Sequence, residues 1–237
     1  MVDYTQRSGY NQRYRERRIS GQPGWSDKYE EKGKMVLQTL RTHGVPIKGR
    51  FLELGCGAGN ITLIMAKSGF IAYGIDIIPE AIEWAKDNLR KSSVQADFRI
   101  GNVVDLKTYP DTFFNVVWDE GCLHCIIGPD RSTCFANIFR ILKSGGVFWA
   151  GASLLNENVV ERFKISPEAY FDPEIRCVVR NGTPFYFLST ESEFIEEIQK
   201  AGFNIRNIDK KLEQSEKDPY TIGKMSVLAE KTKLQSG

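Results

Sequence analysis

The stretch that decides how this chain is read is "ELGCGAGN", Glu53 to Asn60. The apolar run "RFLEL" precedes it, and "ITLIMAKSG" follows with Ile61, Ile64 and Met65 on one helical face, so three glycines stand between a strand and a helix. At such a junction the missing side chains let backbone N–H groups approach a ligand. The spacing is G-x-G-x-G, at Gly55, Gly57 and Gly59, whereas a dinucleotide loop uses G-x-G-x-x-G to seat a pyrophosphate on the helix N-terminus. Glu53 lies directly ahead of the loop. A carboxylate there repels a pyrophosphate and attracts an ammonium group.

Moving outward, strand and helix alternate. "FIAYGID" is a second strand, and Pro79 suits the first turn of a helix with a buried stripe at Ala81, Ile82, Ala85 and Leu89. "DFRIG" and "FFNVVWD" follow as strands, Pro129-Asp130-Arg131 opens a helix through Leu142, and "GGVFWAGAS" is the fifth strand. Parallel strands joined by right-handed crossovers are the economical solution for this order. Thr190 and Glu193 form a capping box for a helix ending at Gly202, and "FNIRNI" and "KMSVLAE" then follow with no helix between them. The expected fold is therefore α/β and Rossmann-like: a seven-stranded, mostly parallel sheet with helices on both faces and an antiparallel last strand.

Two segments break the rhythm. Residues 154–188 hold three prolines and an Asn-Gly turn between strand-like runs, which reads as an insertion covering the substrate end of the sheet. Residues 1–24 carry Arg7, Arg13, Arg15, Arg17 and Arg18 interleaved with Tyr4, Tyr10 and Tyr14, and read as a tail or a flap that orders on binding. Ser26 is a candidate cap for a helix bearing Met35, Val36, Leu37 and Leu40, stopped at His43-Gly44. Residues 25–237 then make one domain.

With 32 basic and 30 acidic residues, no global field advertises a nucleic acid or a membrane. No apolar run is long enough to span a bilayer and the N-terminus lacks a signal-peptide core, so a cytoplasmic location is expected. Five cysteines in such a chain read as reduced thiols.

The order of "FLELGCGAGN", "GIDIIPEAIEWA", "FRIGNVVDL", "FNVVWDEGCLHCI" and "ILKSGGVF" resembles the class I S-adenosylmethionine-dependent methyltransferases, from about Arg50 to Glu230. The resemblance implies S-adenosylmethionine as methyl donor and S-adenosylhomocysteine as product. It places Glu53 and the backbone of Gly55, Cys56, Gly57 and Gly59 at the methionine end, and Asp76 on both ribose hydroxyls. A carboxylate accepting two charge-assisted bonds suits a diol. Where many members carry an acidic residue at the adenine amino group, this chain has Asn102, whose amide can both accept and donate. Either Asn102 or the Val103 backbone makes that contact, with Ile77 and Leu106 sandwiching the ring.

After the fourth strand comes "WDEGCLHC", Trp118 to Cys125. Ligands in open α/β sheets sit beyond the carboxyl ends of the strands, so this loop faces the methyl group. A zinc set from Cys122, His124, Cys125 and Cys134 would need Cys134 to leave a buried helix face, and no metal is expected. Cys122 and Cys125 read as small core residues rather than a redox pair. Asp119 and His124 are expected to line the acceptor pocket as catalytic residues, Asp119 holding a substrate cation or hydroxyl and also touching the cofactor, and His124 acting as a base, or else as a structural donor to a backbone carbonyl.

More loosely, the "D-x-G-C-L-H" run and Trp25 with Tyr29 resemble the loop and aromatic lid of thiopurine, thiol and related small-molecule methyltransferases. The acceptor is then a small S, O or N nucleophile, bounded by Trp25, Tyr29, Glu120 and Tyr170 and by an aromatic wall that includes Phe163, Phe171, Phe185, Tyr186 and Phe187. Two other readings stand beside it: an RNA methyltransferase using the basic N-terminal arm, and a non-catalytic cofactor binder or scaffold.

Overall fold

A computed structural model describes residues 9–156, 169–180, 182–214 and 221–232. Its main sheet contains β1 (Arg50–Leu54), β2 (Ile71–Asp76), β3 (Ala96–Ile100), β4 (Phe114–Asp119), β5 (Leu142–Leu154), β9 (Asn204–Gln214) and β10 (Thr221–Glu230). The order is β3-β2-β1-β4-β5-β10-β9; β1 to β5 pair in parallel, and β10 runs antiparallel to both its neighbours. This is the expected seven-stranded architecture.

The period of two along the central strands divides the core into two layers. Phe51, Val116, Trp118, Val147 and Trp149 face the helices α2 (Tyr29–Thr42) and α3 (Asn60–Lys67). Leu52, Leu54, Val117, Phe148 and Ala150 face α5 (Asp130–Ile141) and α6 (Glu191–Lys200). Trp118 and Trp149 are partners in the β4–β5 register and stack at 4.9 Å with 7° between their planes. Burying both faces explains why β1 and β4 read as continuous apolar runs.

The helix α4 (Pro79–Arg90) starts at its proline as expected, and Thr190 with Glu193 form the capping box of α6. Ser26 does not cap α2: the N-cap is Lys28, and the Ser26 hydroxyl accepts the Lys28 amide.

Two covers sit over the carboxyl ends of the strands. Residues 169–187 form a separate antiparallel sheet of β6 (Ala169–Asp172), β7 (Cys177–Arg180) and β8 (Thr183–Phe187). Chain leaving β5 and chain returning from β8 meet where Leu155 N–H donates to Ser189 and Ser189 N–H to Ser153, so the insertion is rooted at the end of β5. Phe163 of the expected aromatic wall lies outside the described residues.

The second cover comes from the segment read as a tail or flap. Residues Tyr10–Ile19 form helix α1, with Tyr14 buried. A ten-residue helix carrying Arg13, Arg15, Arg17 and Arg18 cannot hold itself together in water, so docking supplies its stability. Arg15 pairs with Glu80 and Arg18 with Asp87 of α4, while Arg13 lies over Phe185 and Arg17 over Trp25. No helix among the described residues is long and apolar enough to cross a membrane.

Candidate active site

One cavity opens at the carboxyl ends of β1, β2 and β4, beneath these two covers. Its floor is the glycine loop, where Gly55, Gly57 and Gly59 all take left-handed φ angles of 61°, 53° and 77°. A Cβ on Gly57 would stand 2.9 Å from the Tyr14 hydroxyl, and one on Gly55 would fall 2.7 Å from the Cys122 Cβ. The loop thus needs glycine both for its backbone and for the space above it.

Carboxylates flank the floor. Glu53 is buried at the end of β1, and its Oε2 accepts both the amide and the hydroxyl of Thr62 from the first turn of α3. Burial raises its pKa to about 8 against those hydrogen bonds. Asp76 closes β2: its Oδ2 accepts the Gly57 amide and its Oδ1 the Ile78 amide, each at 2.9 Å, while burial raises its pKa to about 6. Ile77, Ile78, Asn102 and Val103 continue the lining. The Asn102 side-chain oxygen takes the Val104 amide at 2.9 Å, so it organises its own turn while facing the cavity.

Leu106 does not join them, correcting the expectation of an adenine sandwich. With φ of 44° it turns fully into the α5-side core and is absent from the cavity lining.

The loop after β4 supplies the other wall, through Glu120, Gly121, Cys122, His124, Cys125 and Ile126. Here the structure corrects the role expected of Asp119. Its carboxylate is almost fully buried and points away from the cavity lining, with Oδ1 accepting the Cys122 and Leu123 amides at 2.7 and 3.0 Å and Oδ2 the Gly151 amide at 3.3 Å. Asp119 therefore organises the loop as a cap organises a helix end. Burial raises its pKa to about 6.

His124 does line the cavity, in a single 3-10 turn at Leu123–Cys125. Burial, then the positive charges of Lys224 and Arg131, push its pKa down to about 3, which makes it a neutral imidazole and a weak base rather than one matched to neutral pH. Cys122 and Cys125 also line the cavity, Cys122 while packing against the α5-side core as expected; Cys125 Sγ meets the Tyr10 hydroxyl at 3.5 Å. Burial holds the Cys122 thiol well above its ordinary range, so it is not a reactive thiolate. Cys134 is in the core, its thiol donating to the Val103 carbonyl at 3.3 Å. Among the described residues, no three His, Cys, Asp or Glu side chains gather as a metal set.

Of the expected acceptor-side residues, Trp25, Tyr29 and Glu120 line the cavity. Glu120 is tied to Lys32 at 3.2 Å and to the Trp118 indole at 3.3 Å. Tyr170 is a correction: it lies on the outward face of β6, half exposed and away from the cavity. Phe185 and Pro184 of β8 are the insertion's contribution.

Sequence reasoning missed the roles of Tyr10, Tyr14 and Lys32. Tyr10 and Tyr14 are four residues apart, the spacing of one helical face, and that signal was available beneath the arginines. Tyr10 stacks toward Phe185 at 6.0 Å and leans on Trp25 at 5.3 Å, which also meets Tyr14 at 5.3 Å. One side of the cavity thus carries the carboxyl groups of Glu53 and Asp76, the other the aromatic rings.

A family model described as a methyltransferase domain matches residues 52–150. A ubiquinone biosynthesis O-methyltransferase of Nitrosomonas europaea is 34% identical over 107 residues, covering 45% of this chain and 44% of that protein. The chain spans less than half the length of the curated relatives it matches. Among solved structures, a Pyrococcus horikoshii protein superposes with a TM-score of 0.72 at 18% identity, over 88% of this chain and 93% of that one. A Burkholderia thailandensis 1,6-didemethyltoxoflavin-N1-methyltransferase, solved with bound 1,6-didemethyltoxoflavin and S-adenosylhomocysteine, gives a TM-score of 0.64 at 19% identity over 94% of this chain and 88% of that one. Residues 52–150 are thus similar to a methyltransferase domain, and the fold of the chain is one that solved methyltransferases share.

Proposed function

We propose that this protein transfers a methyl group from S-adenosylmethionine to an S, O or N nucleophile on a small molecule. The observation that carries the reading is the two-sided cavity: Glu53, the glycine loop and Asp76 on one side, His124 with Tyr10, Trp25 and Phe185 on the other.

The residues present fit the cofactor. Glu53, held on one oxygen by Thr62, suits an ammonium group. Asp76 suits a ribose diol, the bare glycine backbone admits close approach, and Ile77, Ile78 and Val103 offer apolar surface to a base. When bound, the sulfonium supplies a methyl group open to in-line displacement.

The protein's own part is mainly to position and to exclude water, which for well-oriented reactants is worth up to roughly 7 to 11 kcal/mol. Tyr10, Trp25 and Phe185 close the acceptor side with apolar rings. His124, being neutral, can accept a hydrogen bond from an O–H, N–H or S–H nucleophile and so aim its lone pair. Engagement of Arg13, Arg15, Arg17 and Arg18 within the protein favours a small acceptor over RNA.

Calorimetry with S-adenosylmethionine, followed by S-adenosylhomocysteine release across a panel of phenols, thiols and amines, tests the reading. Cofactor binding with turnover of one acceptor class supports it. Absence of cofactor binding overturns it, and tight binding with no turnover on any acceptor supports the non-catalytic alternative instead.

A further inference from the structure

Resting on the reading that the His124 side receives the acceptor, we propose that Tyr186, Ser153 and Lys224 are positioning residues that fix the His124 ring against the methyl acceptor. The loop carrying His124 has its backbone fixed already. Asp119 holds the Cys122 and Leu123 amides, and Arg131 donates to the Leu123 and Ile126 carbonyls at 2.9 and 3.1 Å. What those bonds leave undetermined is the angle of the imidazole.

Tyr186 sets it. Its ring stacks on His124 with centroids 4.1 Å apart and 27° between planes, although Tyr186 itself does not line the cavity. It belongs to β8, in the small separate sheet, and a side chain there needs an anchor to the main sheet to hold an angle. Lys224 of β10 provides the anchor. Its Nζ donates to the Tyr186 hydroxyl and to the Ser153 hydroxyl, each at 2.8 Å, and Ser153 of β5 also touches the Tyr186 hydroxyl. Three strands thus converge behind one ring.

The chemistry of this cluster is unusual for a purely structural one. Placing an ammonium in a half-buried site against two neutral hydroxyls costs desolvation that an apolar side chain would avoid. In return the positive charge stands behind His124 and adds to burial, the larger cause, in keeping its lone pair unprotonated. The charged and titratable groups around His124 are Lys224 of β10, Arg131 of α5 and Tyr186 of β8, while Glu120, Cys122 and Cys125 of its own loop line the same cavity, with Tyr10 of α1 beyond Cys125.

The chain has only two histidines, and the other, His43, bonds the Thr39 carbonyl at the far end of α2. Imidazole nitrogen spectra of the free protein therefore read His124 directly against one internal reference. In Lys224→Met the His124 nitrogens should begin to titrate at higher pH than in the native protein, and in Tyr186→Leu their resonances should broaden or move; Lys224→Arg should restore the native spectrum. Kinetically, Tyr186→Leu should raise the acceptor KM at least ~5-fold with S-adenosylhomocysteine affinity unchanged. His124 spectra identical to native in folded Lys224→Met and Tyr186→Leu would overturn the proposal, as would an unchanged acceptor KM. A protein with no methyl transfer at all would defeat the functional reading while leaving the spectroscopic arm decisive for the positioning of His124 by Tyr186, Ser153 and Lys224.

Discussion

The Asp119 carboxylate holds the Cys122 amide at 2.7 Å, and through this bond the strand β4 dictates the course of the loop that carries His124. Removing the carboxylate leaves buried amides of Cys122, Leu123 and Gly151 without their acceptor. Asp119→Ala should lower unfolding stability by roughly 2 to 3 kcal/mol, read from urea denaturation, and Asp119→Asn by less. A chemical role alone would instead leave the denaturation midpoint where it was.

Asp76 touches the cavity from the other side. Asp76→Asn keeps one carbonyl oxygen for the Gly57 or Ile78 amide but discards the charge offered to a diol. S-adenosylhomocysteine affinity should fall about tenfold, a change of ~1.4 kcal/mol that titration calorimetry resolves easily.

Gly57 combines a left-handed backbone with the close approach of Tyr14. Gly57→Ala should weaken cofactor binding through both effects, the backbone part alone costing ~1–2 kcal/mol. Adding Tyr14→Ala relieves the contact but not the φ angle, so the double variant should recover only part of the lost affinity. Full recovery would mean that crowding was the whole effect.

The pH dependence of stability is led by three carboxylates and opposed in part by His124, whose depressed pKa makes the unfolded chain bind the extra proton as pH falls below its ordinary value. Burial raises Glu53 to about 8 and Asp76 and Asp119 to about 6, above their ordinary values near 4. Between those limits the folded protein holds more protons than the unfolded chain, so stability declines as pH rises. The free protein should melt several degrees lower at pH 8 than at pH 5, at ~2–4 °C per kcal/mol for a chain of this size. An ammonium ligand favours ionised Glu53, so cofactor binding at pH 7 should release protons and tighten with pH. Calorimetry in buffers of different ionisation enthalpy would detect the release.

Docking of α1 relies on the exposed pairs Arg15–Glu80 and Arg18–Asp87. Such pairs weaken with salt. Trypsin should therefore cut between Arg13 and Arg18 faster at 1 M than at ~50 mM salt, and S-adenosylhomocysteine should slow the cleavage; equal rates throughout would argue against a salt-dependent dock.

The sheet and the shape of the glycine loop were legible because local rules decide them. The glycine loop, the carboxylate ahead of it and the aspartate ending the second strand all lie at strand ends and line one cavity. Asp119, Leu106 and Tyr170 were misplaced for one physical reason: each lies next to the right element, but the direction of its side chain depends on which backbone amides or core residues claim it. Asp119 is claimed by three amides, Leu106 by a left-handed turn, and Tyr170 by the pleat of β6. The helix α1 escaped reading because its stability comes from docking rather than from its own composition.

The placement of the two covers gives the molecule a division of labour along its length. Glu53, Gly57, Asp76 and Asn102 lie inside the segment that matches the methyltransferase-domain model, whereas Tyr10, Trp25 and Phe185 lie outside it. On the proposed function, donor recognition and acceptor recognition are separately heritable. Chimeras that exchange residues 9–29 and 169–187 between relatives should change what is methylated and leave the donor site as it was, which makes this scaffold open to diversification by recombination at its ends.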